Sequence, residues 1–245
     1  MNHETGVPGA ECVSSRRRFV RNACVAMGAG AFAIAAPMAT AAEQEKKVTA
    51  TEDLMREHGV LRRALLVYRE SVPRLHDADT ELADALQKTA RLFRDFGEDY
   101  HERMLEEQYI FPAVRKAGGP AAGYVDTLLA QHRRGRELTD YILAATQTGR
   151  IGAAHAAPLG KVLDGFVVMY QNHTAREDTV VFPGWKQSLP EKRLEALADK
   201  FEDIEHRQFG KDGFEDAVTT ITRVEQQLGL ADLAQFTPPA PPQTG

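Results

Sequence analysis

The chain has 245 residues, of which 43% are hydrophobic and 27% are charged, and its net charge is −5. That length allows one sizeable core, and the composition is ordinary for a soluble globular protein. The acidic balance gives no reason to expect nucleic acid or an anionic membrane as a partner.

Residues 1–41 are predicted to be an export signal. A basic stretch reads S-R-R-R-F-V-R, an uncharged run rich in alanine and glycine follows, and Ala39–Ala41 offers an A-x-A cleavage site. The basic stretch resembles the twin-arginine signal S/T-R-R-x-F-L-K, with an ordinary Sec signal as the alternative. The resemblance implies a periplasmic protein without membrane contact after cleavage. Because cleavage removes Cys12 and Cys24, the only cysteines, any metal would be held by nitrogen and oxygen.

Residues 42–50 are predicted to form a short polar linker, at the end of which Thr49 and Glu52 make a capping box for a first helix. Apolar residues at intervals of three and four then predict six helices. The first four are expected at about 51–71, 80–115, 123–148 and 157–182. A fifth begins at Pro190 and runs to a turn at residues 209–213, and a sixth follows that turn to about residue 228.

Four long amphipathic helices with short connections are typical of an antiparallel four-helix bundle, and no alternating strand pattern of useful length is present. We therefore predict an all-α fold in which residues 51–187 form the bundle and residues 188–230 add two C-terminal helices. Residues 231–245 are rich in proline and are predicted to form a disordered tail.

One histidine lies on the apolar stripe of each of four successive helices, namely His58, His101, His132 and His173. A bundle core normally holds leucine and valine, because an unpaired polar group there is costly. A single histidine on such a stripe is more often a satisfied core residue than a metal ligand. Four at matching positions need a shared reason, and coordination of a metal by facing helices supplies it.

The histidine pattern occurs twice in the chain. His101 and His173 are each followed by an acidic pair and then by Phe-Pro, and they follow the lone histidines by 43 and 41 residues. Two helix pairs related by a pseudo-two-fold axis would present equivalent ligands to one centre. This arrangement favours two metal ions bridged by two carboxylates over a single ion.

These residues resemble the hemerythrin-like family, or HHE cation-binding domain, whose pattern is a lone His, H-x-x-x-E, a second lone His and a second H-x-x-x-E on four helices. The resemblance covers roughly residues 52–185. It implies that the four histidines are iron ligands and that Glu177 is a bridging carboxylate. It further implies two non-haem irons that bind oxygen or a related small molecule, with manganese or zinc as alternatives to iron.

The second carboxylate departs from the family pattern. Glu177 follows His173 by four residues and shares its helix face, whereas the fourth residue after His101 is a leucine. Counting back from Phe-Pro makes Glu106 the counterpart, but five residues turn a regular helix by about 140° beyond one full turn. A π-bulge would restore the face. We therefore predict Glu106 as the second carboxylate. The alternatives are Glu102 and Glu107.

The remaining histidines, Tyr170 and the arginines are not predicted to bind metal. His76 is expected to be exposed in a loop, and His155 lies near a helix start. His206 is expected on the surface, with a position that reaches an end of the bundle as the alternative. Tyr170, one turn before His173, is expected to pack, with a hydrogen bond to a ligand as the alternative. Arg136 belongs to a group of arginines expected to form a solvated face.

The sequence thus predicts a metal-binding protein that binds oxygen or another small ligand, or holds iron, and favours binding over catalysis. The alternatives are a di-iron enzyme that turns over peroxide or nitric oxide, and a structural protein with a single metal such as zinc. No nucleophile motif, phosphate loop or dinucleotide fingerprint is present. The oligomeric state stays open.

Overall fold

The regular structure of the protein is helical. A computed structural model gives the structure for residues 48–77 and 80–243, and no β-strand occurs in these residues. The prediction of an all-α fold is confirmed. The predicted signal segment and most of the predicted linker lie outside the described residues. Within these residues, no helix is both long and apolar enough to cross a membrane.

The first helix, α1, begins where the sequence predicts and spans Ala50–Ser71, after which Val72–Asp77 forms a 3-10 turn. The Thr49 hydroxyl accepts a hydrogen bond of 3.3 Å from the backbone N–H of Glu52. The Glu52 carboxylate in turn accepts one of 2.8 Å from the backbone N–H of Thr49. These bonds pair N–H groups that the start of a helix otherwise leaves without partners, which confirms the capping box.

The second helical stretch changes its hydrogen-bond register along its length. It consists of helix α2, a π-helical segment π1 and helix α3, which span Thr80–Leu92, Phe93–Ile110 and Phe111–Ala117. At the end of π1, the backbone N–H of Phe111 donates to the carbonyl of Glu106, five residues earlier. Pro112 has no N–H and its ring collides with the carbonyl four residues earlier, so it opposes the tighter α-helical register. The single bulge expected from the sequence is therefore a longer π-helical segment.

Two helices connect this stretch to the next. Helix α4 (Gly119–Ala122) is a single turn that the sequence does not predict, and helix α5 spans Val125–Thr146. Gly118, with a φ of 76°, ends α3 in a conformation that residues with a side chain rarely adopt. The chain can therefore reverse direction within a few residues before α5.

The fourth long helix repeats the change of register. Helix α6 passes into a π-helical segment π2 and then into helix α7, which span Ala153–Arg176, Glu177–Val181 and Phe182–Gln187. The backbone N–H of Phe182 donates to the carbonyl of Glu177, as Phe111 does to Glu106 in π1. The helix continues past its predicted end at residue 182, because Pro183 lies in the first turn of α7, where its missing N–H is not required.

The C-terminal helices pack on the first two helical stretches. Helices α8 (Glu191–Phe209) and α9 (Gly213–Leu228) follow α7, and a 3-10 turn, Leu233–Phe236, lies in the proline-rich tail. Helix α9 contacts both α1 and α2. The Arg63 guanidinium of α1 donates to the Glu225 carboxylate of α9 over 2.9 Å. The extension therefore covers one side of α1 and α2.

The core lies between the four long helical stretches. Helix α1 packs against α2 and α6, and helix α5 packs against α2, π1 and α6. Four aromatic side chains form a layer with ring centroids 4.6 to 5.5 Å apart, namely Tyr68, Phe93, Phe166 and Tyr170. The ring of Tyr170 lies 5.4 Å from the His173 imidazole, so this layer adjoins the histidine cluster.

Candidate metal centre

Six buried side chains with metal-binding groups converge between the long helical stretches. They come from α1, π1, α5, α6 and π2, and none is more than 3% exposed to solvent. These side chains are His58, His101, Glu106, His132, His173 and Glu177. The structure therefore brings together every residue that the sequence predicts as a ligand.

The four imidazoles face one another in two pairs. In the first pair, Nε2 of His58 lies 3.0 Å from Nε2 of His101. In the second pair, Nε2 of His132 lies 3.2 Å from Nε2 of His173. Two nitrogens that share one metal ion at about 2.1 Å each lie about 3 Å apart when the angle at the metal is near a right angle. The spacing within each pair therefore fits one shared ion.

The other ring nitrogen of each imidazole, Nδ1, lies against an oxygen acceptor. The acceptors are Asp178 for His58 at 2.7 Å, Glu57 for His101 at 2.6 Å, Glu107 for His132 at 2.9 Å and Gln131 for His173 at 2.9 Å. Because these oxygens only accept, Nδ1 carries the proton and Nε2 presents its lone pair. Within each pair of imidazoles, the lone pairs of the two Nε2 atoms then face each other. That arrangement is unfavourable unless a proton or a metal ion lies between them.

The π-helical register of π1 brings Glu106 into the cluster. In a π-helix the backbone bonds join residues five apart, so His101 and Glu106 lie on one face. Oε1 of Glu106 lies 3.5 Å from Nε2 of His101, and Oε2 lies 3.2 Å from Nε2 of His132. This carboxylate therefore approaches one imidazole of each pair.

Glu177 connects the same two pairs. Its Oε2 lies 3.5 Å from Nε2 of His58 and 3.0 Å from Nε2 of His173. Both carboxylate oxygens of Glu177, and both of Glu106, are buried without a hydrogen-bond partner. Burial of such oxygens is costly unless a cation takes their lone pairs. The donor set therefore fits bound metal.

Two of the four imidazoles carry a second proton when no metal is bound, whereas burial lowers the pKa of His58 and His173. Burial opposes the charged form of His132, but Glu102, Glu106 and Glu107 outweigh it and raise the pKa of this imidazole to about 10. Burial likewise opposes the charged form of His101, but the neighbouring carboxylates raise its pKa well above the ordinary value. Both imidazoles are therefore protonated at neutral pH in the metal-free protein.

The two carboxyl groups of the cluster have opposite pKa shifts. Burial raises the pKa of Glu177 well above its ordinary value, and the charge of Glu106 raises it further. Burial also opposes ionisation of Glu106, but His101 and His132 outweigh it and hold the pKa of this carboxyl well below its ordinary value. The metal-free cluster therefore contains an ionised Glu106 between two imidazolium groups and a protonated Glu177.

The two alternative carboxylates of π1 serve groups around the cluster. Glu102 accepts hydrogen bonds of 2.6 Å from the Tyr170 hydroxyl and 3.2 Å from the Arg136 guanidinium. Glu107 accepts from Nδ1 of His132 and, over 2.5 Å, from the same guanidinium. Glu107 therefore orients the His132 ring, and both carboxylates balance the charge of Arg136.

Sequence reasoning missed the role of Arg136 and favoured packing over a hydrogen bond for Tyr170. Tyr170 packs in the aromatic layer as expected, but its hydroxyl also donates to Glu102. The assignment of Arg136 to a solvated face is wrong, because its side chain is only 15% exposed and pairs with two carboxylates. The available signal was spacing, since Tyr170 lies one turn before His173 and Arg136 lies one turn after His132.

The phenylalanine of each Phe-Pro covers an imidazole of the other half of the repeat. Phe111 stacks on His132 with ring centroids 5.4 Å apart, and Phe182 stacks on His58 at 5.3 Å. Both phenylalanines are buried. They therefore place an apolar wall against the cluster and limit the access of water to it.

The other histidines of the described chain lie elsewhere. His76 is exposed as predicted, His155 lies exposed in the first turn of α6, and His206 is partly buried on α8. Across residues 48–77 and 80–243, every group of three or more side chains able to hold an ion belongs to the cluster or its immediate surroundings.

The fold and these side chains define the class of the protein, which is an all-helical protein with a buried histidine and glutamate cluster able to hold metal. The chain matches the family model of the hemerythrin HHE cation binding domain over residues 49–185. Because this match covers more than half of the sequence, the chain belongs to the hemerythrin HHE family. The family resemblance inferred from the residues is confirmed.

The chain also has mycobacterial relatives. It is 46% identical over 203 residues to uncharacterized proteins of Mycobacterium bovis and of two strains of Mycobacterium tuberculosis. The aligned region covers 81% of this chain and 78% of each relative. No solved structure matches the chain significantly.

Proposed function

We propose that the protein holds a non-haem di-iron centre inside an antiparallel four-helix bundle, where it binds oxygen or another small ligand or holds iron. It acts as a binding protein rather than as an enzyme. The proposed ligands are His58, His101, Glu106, His132, His173 and Glu177. Residues 1–41 export the protein, in this proposal by the twin-arginine route to the periplasm, and recovery of the mature protein from the cytoplasmic fraction would contradict that location.

The observation that carries the proposal is the convergence of two imidazole pairs on two carboxylates without other partners. A single ion would bind the two Nε2 atoms of one imidazole pair and leave those of the other pair facing each other without a metal. The geometry therefore favours two ions. Imidazole nitrogen and carboxylate oxygen suit iron, manganese and zinc, and membership of this family favours iron. Bound iron supplies coordination positions, beyond those filled by protein, at which a small molecule can bind.

The protein's own residues prepare this centre in two ways. The acceptors on Nδ1 turn each imidazole so that its Nε2 lone pair faces inward. Phe111 and Phe182 limit water on the outer side of two imidazoles. Together these contacts keep six donor groups in place before the metal arrives, which lowers the cost of ordering them on binding.

Metal analysis of the purified mature protein, with visible spectra recorded in nitrogen and in air, tests the proposal. Two irons per chain and an absorption band that depends on oxygen are the expected result. A colourless protein with one zinc would contradict it, and rapid catalytic loss of added peroxide would favour the enzyme alternative. His206→Ala is a suitable control, because this side chain lies on α8 outside the cluster and its removal should leave the metal content unchanged.

Metal binding is expected to release protons. The raised pKa values of His101 and His132 keep both imidazoles protonated at neutral pH, and a metal ion must displace those protons to reach Nε2. Glu177, which is protonated in the metal-free cluster, must lose its proton as well. Affinity should therefore rise with pH, by roughly three orders of magnitude per pH unit for loading of the whole centre near neutrality. Calorimetric titration in two buffers with different ionisation enthalpies measures the released protons. Affinity that is the same at about pH 6 and pH 8 would contradict the assigned protonation states.

A further inference from the structure

The groups that surround the proposed ligands repeat with the same two-fold relation as the ligands. Asp178 and Glu107 each follow a bridging glutamate in the sequence. Asp178 accepts from Nδ1 of His58 over 2.7 Å, and Glu107 accepts from Nδ1 of His132 over 2.9 Å. Each half of the repeat therefore supplies the carboxylate that holds the lone histidine of the other half.

An arginine balances each of these carboxylates. The Arg62 guanidinium pairs with Asp178, and the Arg136 guanidinium donates to Glu107 over 2.5 Å. Each arginine follows the lone histidine of its own half by four residues. The charges around the two lone histidines are not identical, because Arg136 also pairs with Glu102, whose carboxylate lies 3.9 Å from Nδ1 of His132.

The acceptors on the four Nδ1 atoms differ between the two halves at one position, which is the residue before each lone histidine. Oε2 of Glu57 accepts from Nδ1 of His101 over 2.6 Å, whereas Oε1 of the equivalent Gln131 accepts from Nδ1 of His173 over 2.9 Å. Glu57 is only 1% exposed, so solvent screens its interaction with the ring weakly. A carboxylate acceptor makes an imidazole a stronger electron donor to a metal than a neutral amide oxygen does.

We propose that Glu57 and Gln131 make the two metal positions unequal. The ion held by the first pair of imidazoles binds more tightly, and the ion held by the second pair is the exchangeable one. The ligand class is a divalent transition-metal ion such as iron(II) or cobalt(II). The centre therefore fills in a set order, and it can lose one ion while the other stays bound. This inference rests on the proposed two-metal centre.

Anaerobic titration of the metal-free protein with cobalt(II), followed by visible absorption and by competition with a chelator, tests the inequality. The wild-type protein should bind two ions in two steps whose affinities differ by about 10-fold or more, because outer partners of ligand histidines change metal affinity by roughly 10- to 100-fold. Gln131→Glu should tighten the weaker step by about 10-fold, and Glu57→Gln should weaken the tighter step by about 10-fold. Either substitution alone should make the affinities of the two binding steps similar.

Three further results complete the test. The double exchange E57Q/Q131E should separate the two steps again, which a general weakening of the fold would not do. Gln147→Glu adds the same charge at the exposed end of α5 and should leave both steps unchanged. One-step binding of two ions by the wild-type protein, or two steps that neither single variant moves, would overturn the inference and leave the two-metal centre in place. A wild-type protein that binds fewer than two ions would instead overturn the proposed function.

Discussion

Replacing Glu106 with alanine is expected to lower the bound metal from two ions to at most one per chain. Glu106 reaches an imidazole of each pair, with its two oxygens 3.5 and 3.2 Å from Nε2 of His101 and His132. Its removal would take a donor from both of the proposed metal positions and the low-pKa carboxylate from between them. Loss of an outer partner alone costs about 10- to 100-fold in affinity, so loss of this inner group should weaken the remaining ion by more than ~100-fold.

Metal content after dialysis and affinity by chelator competition measure this effect. Gln108→Ala is the matched control, because Gln108 is an exposed residue of the same π-helical segment two positions further on. That control should keep two ions. Circular dichroism of both variants checks that the helices are retained. A Glu106→Ala protein with the metal content of the wild type would remove Glu106 from the centre and return Glu102 and Glu107 to consideration.

The Gly135→Ala substitution is expected to destabilise the protein by about 3 kcal/mol. A Cβ at this buried position would lie 3.0 Å from Cζ of Tyr170 and closer still to its hydroxyl. The ring cannot easily move, because it stacks on Phe166 at 4.6 Å and its hydroxyl donates to Glu102 over 2.6 Å. Overpacking costs about 1–3 kcal/mol, and the Glu102 oxygen costs about as much if it loses the Tyr170 hydroxyl. The higher helix propensity of alanine relative to glycine offsets up to about 1 kcal/mol.

Chemical denaturation of the metal-free proteins measures this difference without a contribution from bound metal. Gly165→Ala is the control, since Gly165 lies on α6 in an exposed position where an added Cβ would meet no atom within 4 Å. That substitution should stabilise the protein by about 0.5–1 kcal/mol. Stability of the Gly135→Ala protein within about 0.5 kcal/mol of the wild type would show that Tyr170 can move without loss of its contacts.

Glu106 and Glu177 show how much of the cluster can be predicted from local sequence alone. Glu177 can be placed from the sequence, because a spacing of four from His173 has one meaning in a regular helix. Glu106 can be placed in the cluster only if the helix contains a π-bulge. It follows His101 by five residues, and the direction of a side chain at that distance depends on the hydrogen-bond register of the helix. Pro112 is a visible signal for a wider helix. Its position does not reveal that the wider register extends back to Phe93.

The sequence by itself determined the helical class, the start of α1 and the four histidines on buried stripes, because these features follow from periodicity and capping within a few residues. Only the tertiary structure decided which group holds each Nδ1. Glu57 and His101 are 44 residues apart, and Asp178 and His58 are 120 residues apart. Such contacts depend on the rotation and relative height of packed helices, which no local pattern specifies. The difference between Glu57 and Gln131 is therefore visible in the sequence, but its meaning for the two metal positions comes from the packing.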